Sequence, residues 1–318
     1  MKKRWLLFGF IGLLLYACAG GKKEGAVVVP HEQLQPVRLG ILPTMDGLPF
    51  VVAEKQGLYD SLGVDVTLVR FQSPYDRDAA LQSGQIDGAV TDYPSVVVLQ
   101  AHHTELAFIM KNDGYYCFIV SRQSKINRQK QLTNKNIAVS RNTMVEYATY
   151  LFLDKIKISP TEVNLPEIGQ LPLRLQMLSY GQVDASFLPD PFATIAMGSG
   201  QKSLVSTREL EISWLGTAFT LKALKEKREE IKLLVKGYNW GVNYLQTHPQ
   251  KQWKKLLMEE TGIPEALTGL IVLPTYQLAT RPSEKELANA VAWLKTKKRI
   301  PSAYRGENLV DTTFVSFE

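Results

Sequence analysis

Apolar and polar positions change period along this chain, and the changes mark its elements. "VRLGILP" (37–43) and "VDVTLVRF" (64–71) are rich in β-branched residues and read as strands. Between them "PFVVAEKQGLYDSLG" has helical spacing, with Pro49 near its start. Ser73-Pro74-Tyr75-Asp76 supplies an N-cap, a proline at the first helical position and an acid in the first turn. The helix it opens ends at Gly84, and "IDGAVT" forms the next strand, followed by a helix from Pro94. The second half repeats the rhythm with a strand at "NIAVS" (136–140), a helix at "TMVEYATYLFLDKI" and a Ser159–Glu162 cap. A helix at "LPLRLQMLSYG" and a strand at "VDASFL" follow. Alternating strands and helices predict an α/β protein whose mostly parallel sheets are flanked by helices. Beyond Trp214 the pattern turns helical, with Ile231, Leu234, Val235, Tyr238, Val242 and Leu245 on one face and a stop at His248-Pro249. Ser283 and Glu286 form a capping box for the last helix, whose final turn is cationic.

Two segments are near copies. "LQSGQIDGAVTDYP" (81–94) and "LSYGQVDASFLPDP" (178–191) align without gaps and share the leucine, Gly84/Gly181, Gln85/Gln182, Asp87/Asp184 and the final proline. Each copy is a helix end, a glycine, and a strand leading into a loop. Ligands of open α/β sheets bind beyond the carboxyl ends of strands. Two such lobes facing each other place both loops on one cleft, while Asp87 and Asp184, common to both copies, read as structural.

The amino terminus carries a separate signal. "MKKR" is a positive start, and "WLLFGFIGLLLYA" (5–17) is too short an apolar run for an ordinary membrane span. Leu15, Ala17 and Cys18 resemble a bacterial lipobox with Cys18 as the lipidated residue. Residues 1–18 are thus expected to be a lipoprotein signal, and residues 19–36, with glycine and charge first and proline later, a tether. The body is placed outside the cytoplasm, held to a bacterial membrane by lipid. With Cys18 acylated only Cys117 remains, in the apolar run "YYCFIV", so an intrachain disulfide is excluded.

Composition narrows the function. Apolar residues make up 45% of 318, enough to bury a core. The net charge is +6, and Lys2, Lys3 and Arg4 supply half of it, so a nucleic-acid partner is not indicated. The four histidines (31, 102, 103, 248) form no metal or triad spacing, and no cysteine cluster is present. No cofactor and no enzymatic activity are expected.

These residues resemble the type 2 periplasmic binding proteins of ABC importers, in the branch that takes up sulfonates, nitrate-like anions and thiamine pyrimidine precursors. The resemblance runs from about Val37 to Leu245 and is carried by "LGILPTMDGLPFVVAEKQGLY", "LQSGQIDGAVTD" and "LSYGQVDASFLPDP". It implies two α/β lobes, residues 37–120 with 214–318 and residues 121–213, joined by crossover strands near Cys117–Ser121 and Ser213–Phe219. It also implies hinge closure on a small molecule, a permease and ATPase as partners, and a monomeric receptor. A thiamine-pyrimidine-synthase-like enzyme is the alternative of another class, and a sensor partner a third.

The candidate ligand contacts lie at the strand ends. Thr44 and Asp46 follow the first strand, although Asp46-Gly47 also reads as a plain turn. Asp92 and Tyr93 leave the first copy, with Tyr93 expected to stack on a flat ligand and Asp92 alternatively capping a helix. Asp190 leaves the second copy. Arg141, Asn142, Thr143 and Glu146 surround a helix start that either offers amides to an anion or is simply capped. Tyr115, Tyr116 and Trp214 are expected to wall the cleft. Four acids against one base favour an amine-bearing or heteroaromatic ligand such as a pyrimidine, with a sulfonate or other organic anion second.

Overall fold

The computed structural model describes residues 34–315; the lipobox and most of the tether lie outside the described residues. The chain begins with β1 (Val37–Ile41), α1 (Leu48–Lys55), α2 (Leu58–Ser61), β2 (Val66–Arg70), α3 (Pro74–Gln82), β3 (Gly88–Asp92), α4 (Tyr93–Ala101) and β4 (Leu106–Lys111). Residues 112–115 carry it to a second sheet, with β5 (Tyr116–Val120), β6 (Ile137–Ala138), α5 (Met144–Lys155), α6 (Leu171–Ser179), β7 (Ala185–Pro189), α7 (Phe192–Gly198) and β8 (Lys202–Ser206). Residues 207–214 return it to β9 (Leu215–Thr220), then α8 (Leu221–Glu226), α9 (Arg228–Thr247), α10 (Lys254–Thr261) and α11 (Glu284–Thr296).

The sheets have the orders β2-β1-β3-β9-β4 and β6-β7-β5-β8. The βαβ units give the parallel pairs β1/β2, β1/β3 and β6/β7. Strands beside the two crossings pair antiparallel, as β3/β9, β4/β9, β5/β7 and β5/β8. The sheets are therefore mixed, because a chain that leaves one sheet and returns to it must run one strand against the rest.

Local chemistry sets the boundaries. Ser73 caps α3 through the Tyr75 N–H at 3.1 Å, with Pro74 at the first helical position. The segment 49–63 breaks into α1 and α2 at Gly57, whose φ is +66°. Ser159 and Glu162 form the expected capping box, but around a single 3-10 turn (Pro160–Glu162).

The six positions expected on one face of α9 are all buried, the five aliphatic ones each contributing roughly 1.5–3 kcal/mol. The helix lies close on α1, where a Cβ at Gly241 would stand 2.0 Å from the Pro49 carbonyl oxygen. Tyr147 of α5 stacks on Trp214 at 3.7 Å, and Trp293 of α11 meets the same tyrosine edge-on at 5.4 Å. Among the described residues no helix is long and apolar enough to cross a membrane.

Candidate ligand-binding cleft

The duplicated segments build matching floors for the two lobes. Gly84 and Gly181 end α3 and α6 with φ of +72° and +70°, a region that favours glycine. The Asp87 carboxylate accepts from the Arg38 N–H at 2.7 Å while the Asp87 N–H donates to the Arg38 carbonyl. Asp184 does the same with Asn136, at 2.9 Å and 2.8 Å. Each aspartate thus clamps neighbouring parallel strands in register, and lysines offset its charge: Lys227 at 2.9 Å from Asp87 and Lys135 at 3.5 Å from Asp184.

The repeat also carries a buried arginine pair that sequence reading missed. Arg77 in α3 donates from Nη1 to the Val90 carbonyl at 3.1 Å, and Arg174 in α6 donates from Nη1 to the Phe187 carbonyl at 3.2 Å. Extending the ungapped alignment a few residues upstream brings the two arginines into register, which was the available signal. Arg77 is ion-paired to its neighbour Asp78 at 2.7 Å. Arg174 donates instead to the Ile168, Phe187 and Gly169 carbonyls and to Ser140, and burial pushes its pKa down to about 10.

Between the lobes, Met45 and Asp46 from one side and Pro189 and Asp190 from the other enclose a cavity of about 10 Å³, with Tyr115 and Tyr116 between them. That is room for about one water, so a larger ligand needs the lobes to part. Asp46 accepts from the Thr44 hydroxyl, and its pKa is raised by burial. Asp190 accepts from the Thr194 N–H and hydroxyl at 3.0 Å and 2.7 Å, and burial raises it too. Tyr115 donates to the Val272 carbonyl at 2.8 Å, lies under the Arg208 guanidinium at 4.2 Å, and has a pKa pushed up to about 12 by burial and by Asp190. Behind Tyr115 a hollow of about 310 Å³ opens at the crossings. Thr44, Asp46, Tyr115 and Asp190 therefore come together as a candidate site, and Tyr116 lines it too, its hydroxyl within the electrostatic reach of Asp46, Asp92, Arg77 and Arg174.

The remaining candidates gather at the start of α5. Thr143 caps that helix through the Val145 N–H at 3.2 Å and donates to the Ser140 carbonyl. Asn142 sits at φ +58°, and its N–H donates to Glu146 at 2.7 Å. Arg141 pairs with Glu146 at 3.7 Å and Glu167 at 3.2 Å. The Asn142 and Val145 amides of this helix start are thus already engaged by the chain's own oxygens. Asp92 caps α4 through the Ser95 N–H at 3.0 Å and also faces the Met144 N–H of α5. Its pKa is pushed up to about 6 by burial, against the opposing pull of Arg77.

Tyr93 does not stack toward the cleft. It is fully buried, with its ring against Phe108 at 5.1 Å, because the first residue of α4 turns into the core of its own lobe. Trp214 is likewise buried, stacked on Tyr147. Pro274 and Val272, in a segment without regular period, complete the site and were not foreseen. His102 and His103 are exposed after α4, and His248 stacks on Tyr244. Among the described residues no group of three metal-ligating side chains forms.

The sequence profile of the NMT1/THI5-like family matches residues 45–252, about two thirds of the chain. The chain belongs to the NMT1/THI5-like family. No curated protein matches it by sequence. In structure, this NMT1/THI5-like chain is similar to the ligand-binding component of an ABC-type import system from Staphylococcus aureus, with a TM-score of 0.74 at 15% identity, covering 88% of this chain and 97% of that one. It is also similar to the periplasmic aliphatic sulphonate binding protein SsuA from Escherichia coli (0.72, 16%, 89% and 94%). The periplasmic nitrate-binding protein NrtA from Synechocystis gives 0.70 at 10%, covering 85% and 83%. At these identities the likeness establishes the fold alone: an NMT1/THI5-like protein with the periplasmic binding protein architecture.

Proposed function

We propose that this protein is an extracytoplasmic solute-binding receptor, lipid-anchored at Cys18, that delivers a small organic molecule to an ABC permease and its ATPase. The observation that carries this reading is the pair of buried carboxylates, Asp46 and Asp190, facing one another with Tyr115 and Tyr116 across a cleft between two lobes. That the structural relatives include a ligand-binding component of an ABC-type importer and a periplasmic sulphonate-binding protein supports it. The lipobox-like Leu15–Cys18 supports the anchor. Mass spectrometry of the membrane fraction is expected to find a diacylated Cys18 as the first residue; an intact Met1 would refute the anchor.

The ligand class follows from the acids. A carboxylate held in a closing, partly dry cleft is unfavourable unless the ligand supplies donors. A nitrogen heterocycle bearing exocyclic N–H groups, of the aminopyrimidine or thiamine-precursor kind, meets Asp46 and Asp190 and lies against the tyrosines. Removing one such acceptor weakens binding by about 1.5–3 kcal/mol, roughly tenfold to a hundredfold. Thermal-shift screening of the detergent-solubilised chain against aminopyrimidines, alkyl sulfonates and nitrate tests this. Calorimetry then compares wild type with Asp46→Asn and Asp190→Asn. A second reading, a sulfonate or other organic anion, is favoured by Arg174, whose buried guanidinium bonds carbonyls and a hydroxyl and no carboxylate. Stabilisation by sulfonates and not by heterocycles, with both Asn variants unchanged, would select it.

A further inference from the structure

The two lobes also touch beside the start of α5, where residues 72–75 meet Arg141 and residues 167–171. Residues 166–170 run extended beside β6, where Ile168 N–H donates to the Val139 carbonyl at 2.9 Å and Glu167 bridges Val139. In an extended segment alternate residues face the same way. Glu167 and Gly169 accordingly both meet Tyr75 of the other lobe, and Leu171, the first residue of α6, follows them.

Each of the three contacts is specific. The Leu171 N–H donates to the Gln72 carbonyl at 3.0 Å. The Tyr75 ring lies on bare Gly169, where a Cβ would stand 2.3 Å from a ring carbon. The Tyr75 hydroxyl donates to a Glu167 carboxylate oxygen and accepts from the Arg141 N–H at 2.7 Å. The Arg141 side chain then holds the other Glu167 oxygen at 3.2 Å. Tyr75 is 37% exposed, at the rim and not in either core, so packing alone does not hold it there. Its place in the second position of the Ser73-capped α3 fixes where the hydroxyl points.

We propose that Tyr75 is an interlobe latch: it holds the lobes shut by seating on Gly169 and bonding Glu167 and the Arg141 backbone, and so sets how long the receptor stays closed. This rests on the reading of the two lobes as moving parts, but not on the ligand's identity. Losing the hydroxyl removes two hydrogen bonds at a half-exposed site, which corresponds to about a fivefold or greater fall in the closed-to-open ratio.

The test measures the distance between spin labels on the two lobes of the full chain in detergent, with no ligand added. Labels go on Asp60→Cys and Lys157→Cys, both exposed and in opposite lobes, in a Cys117→Ser background. Wild type is expected to show a dominant closed distance. Tyr75→Phe, which keeps the ring, should shift the ratio toward the open distance by about fivefold. Gly169→Leu, a wedge under the ring, should leave little closed population, with circular dichroism verifying the fold. Glu167→Gln keeps an acceptor for the hydroxyl and should stay near wild type. Unchanged distributions in both Tyr75→Phe and Gly169→Leu, a wild type already open, or Glu167→Gln opening as far as Tyr75→Phe would each overturn the latch. None of these outcomes bears on whether Asp46 and Asp190 bind ligand, which calorimetry reads separately.

Discussion

At Asp92 one carboxylate serves two helices, capping α4 in its own lobe and facing the first N–H of α5 in the other. The cost of that position is desolvation, which lifts its pKa to about 6. An unfolded aspartate titrates near pH 4, so between about pH 4 and 6 the folded chain holds a proton that the unfolded chain has released. The contribution to stability is fully present below pH 4, is lost as pH rises through 6, and is flat above. Asp46, Asp78 and Asp190 are raised in the same direction. In urea unfolding at pH 4.5 and 7.5, wild type is expected to lose about 2 kcal/mol relative to Asp92→Asn across that interval. Parallel pH profiles for the two proteins would contradict it.

The helix–glycine–strand unit is the element this protein uses twice, and its two copies are not equally forgiving. A Cβ at Gly84 meets nothing within 4 Å, whereas at Gly181 it lies 2.8 Å from the Gln123 Cβ. The Gln123 side chain is also tied to the Ser179 carbonyl at 2.9 Å, so it does not give way freely. Gly84→Ala should cost about 1 kcal/mol for its left-handed backbone, and Gly181→Ala clearly more. Equal urea midpoints for the two variants would show that Gln123 yields at no cost. Much of this element was legible in the sequence, because turn glycines, caps and strand-clamping aspartates act locally. Arg77 and Arg174 were not, since a buried arginine satisfied by carbonyls looks in a linear pattern like any polar surface position. Tyr93 misled for the related reason that a strand-end position does not say which way an aromatic ring turns. Asp46 and Asp190 were legible as strand-end acids, but Pro274 and Val272 reach the cleft from a segment with no period to follow.

At the scale of the whole molecule, the double crossing means that the first sheet is completed by β9, chain that has visited the second, while β5 to β8 form one unbroken insertion. On the receptor reading proposed above, closure would bend two strands of backbone, at 112–115 and 207–214, while the sheets move as bodies. The aromatic stack spans that same division: Tyr147 belongs to the second lobe, Trp214 to a crossing and Trp293 to a helix of the first. Rings 3.7 Å apart share excitation and quench one another, and both change steeply as the rings separate or tilt. The protein thus carries a stacked aromatic pair across its lobe division, and a change in ultraviolet emission on adding ligand is the expected sign that the division has moved.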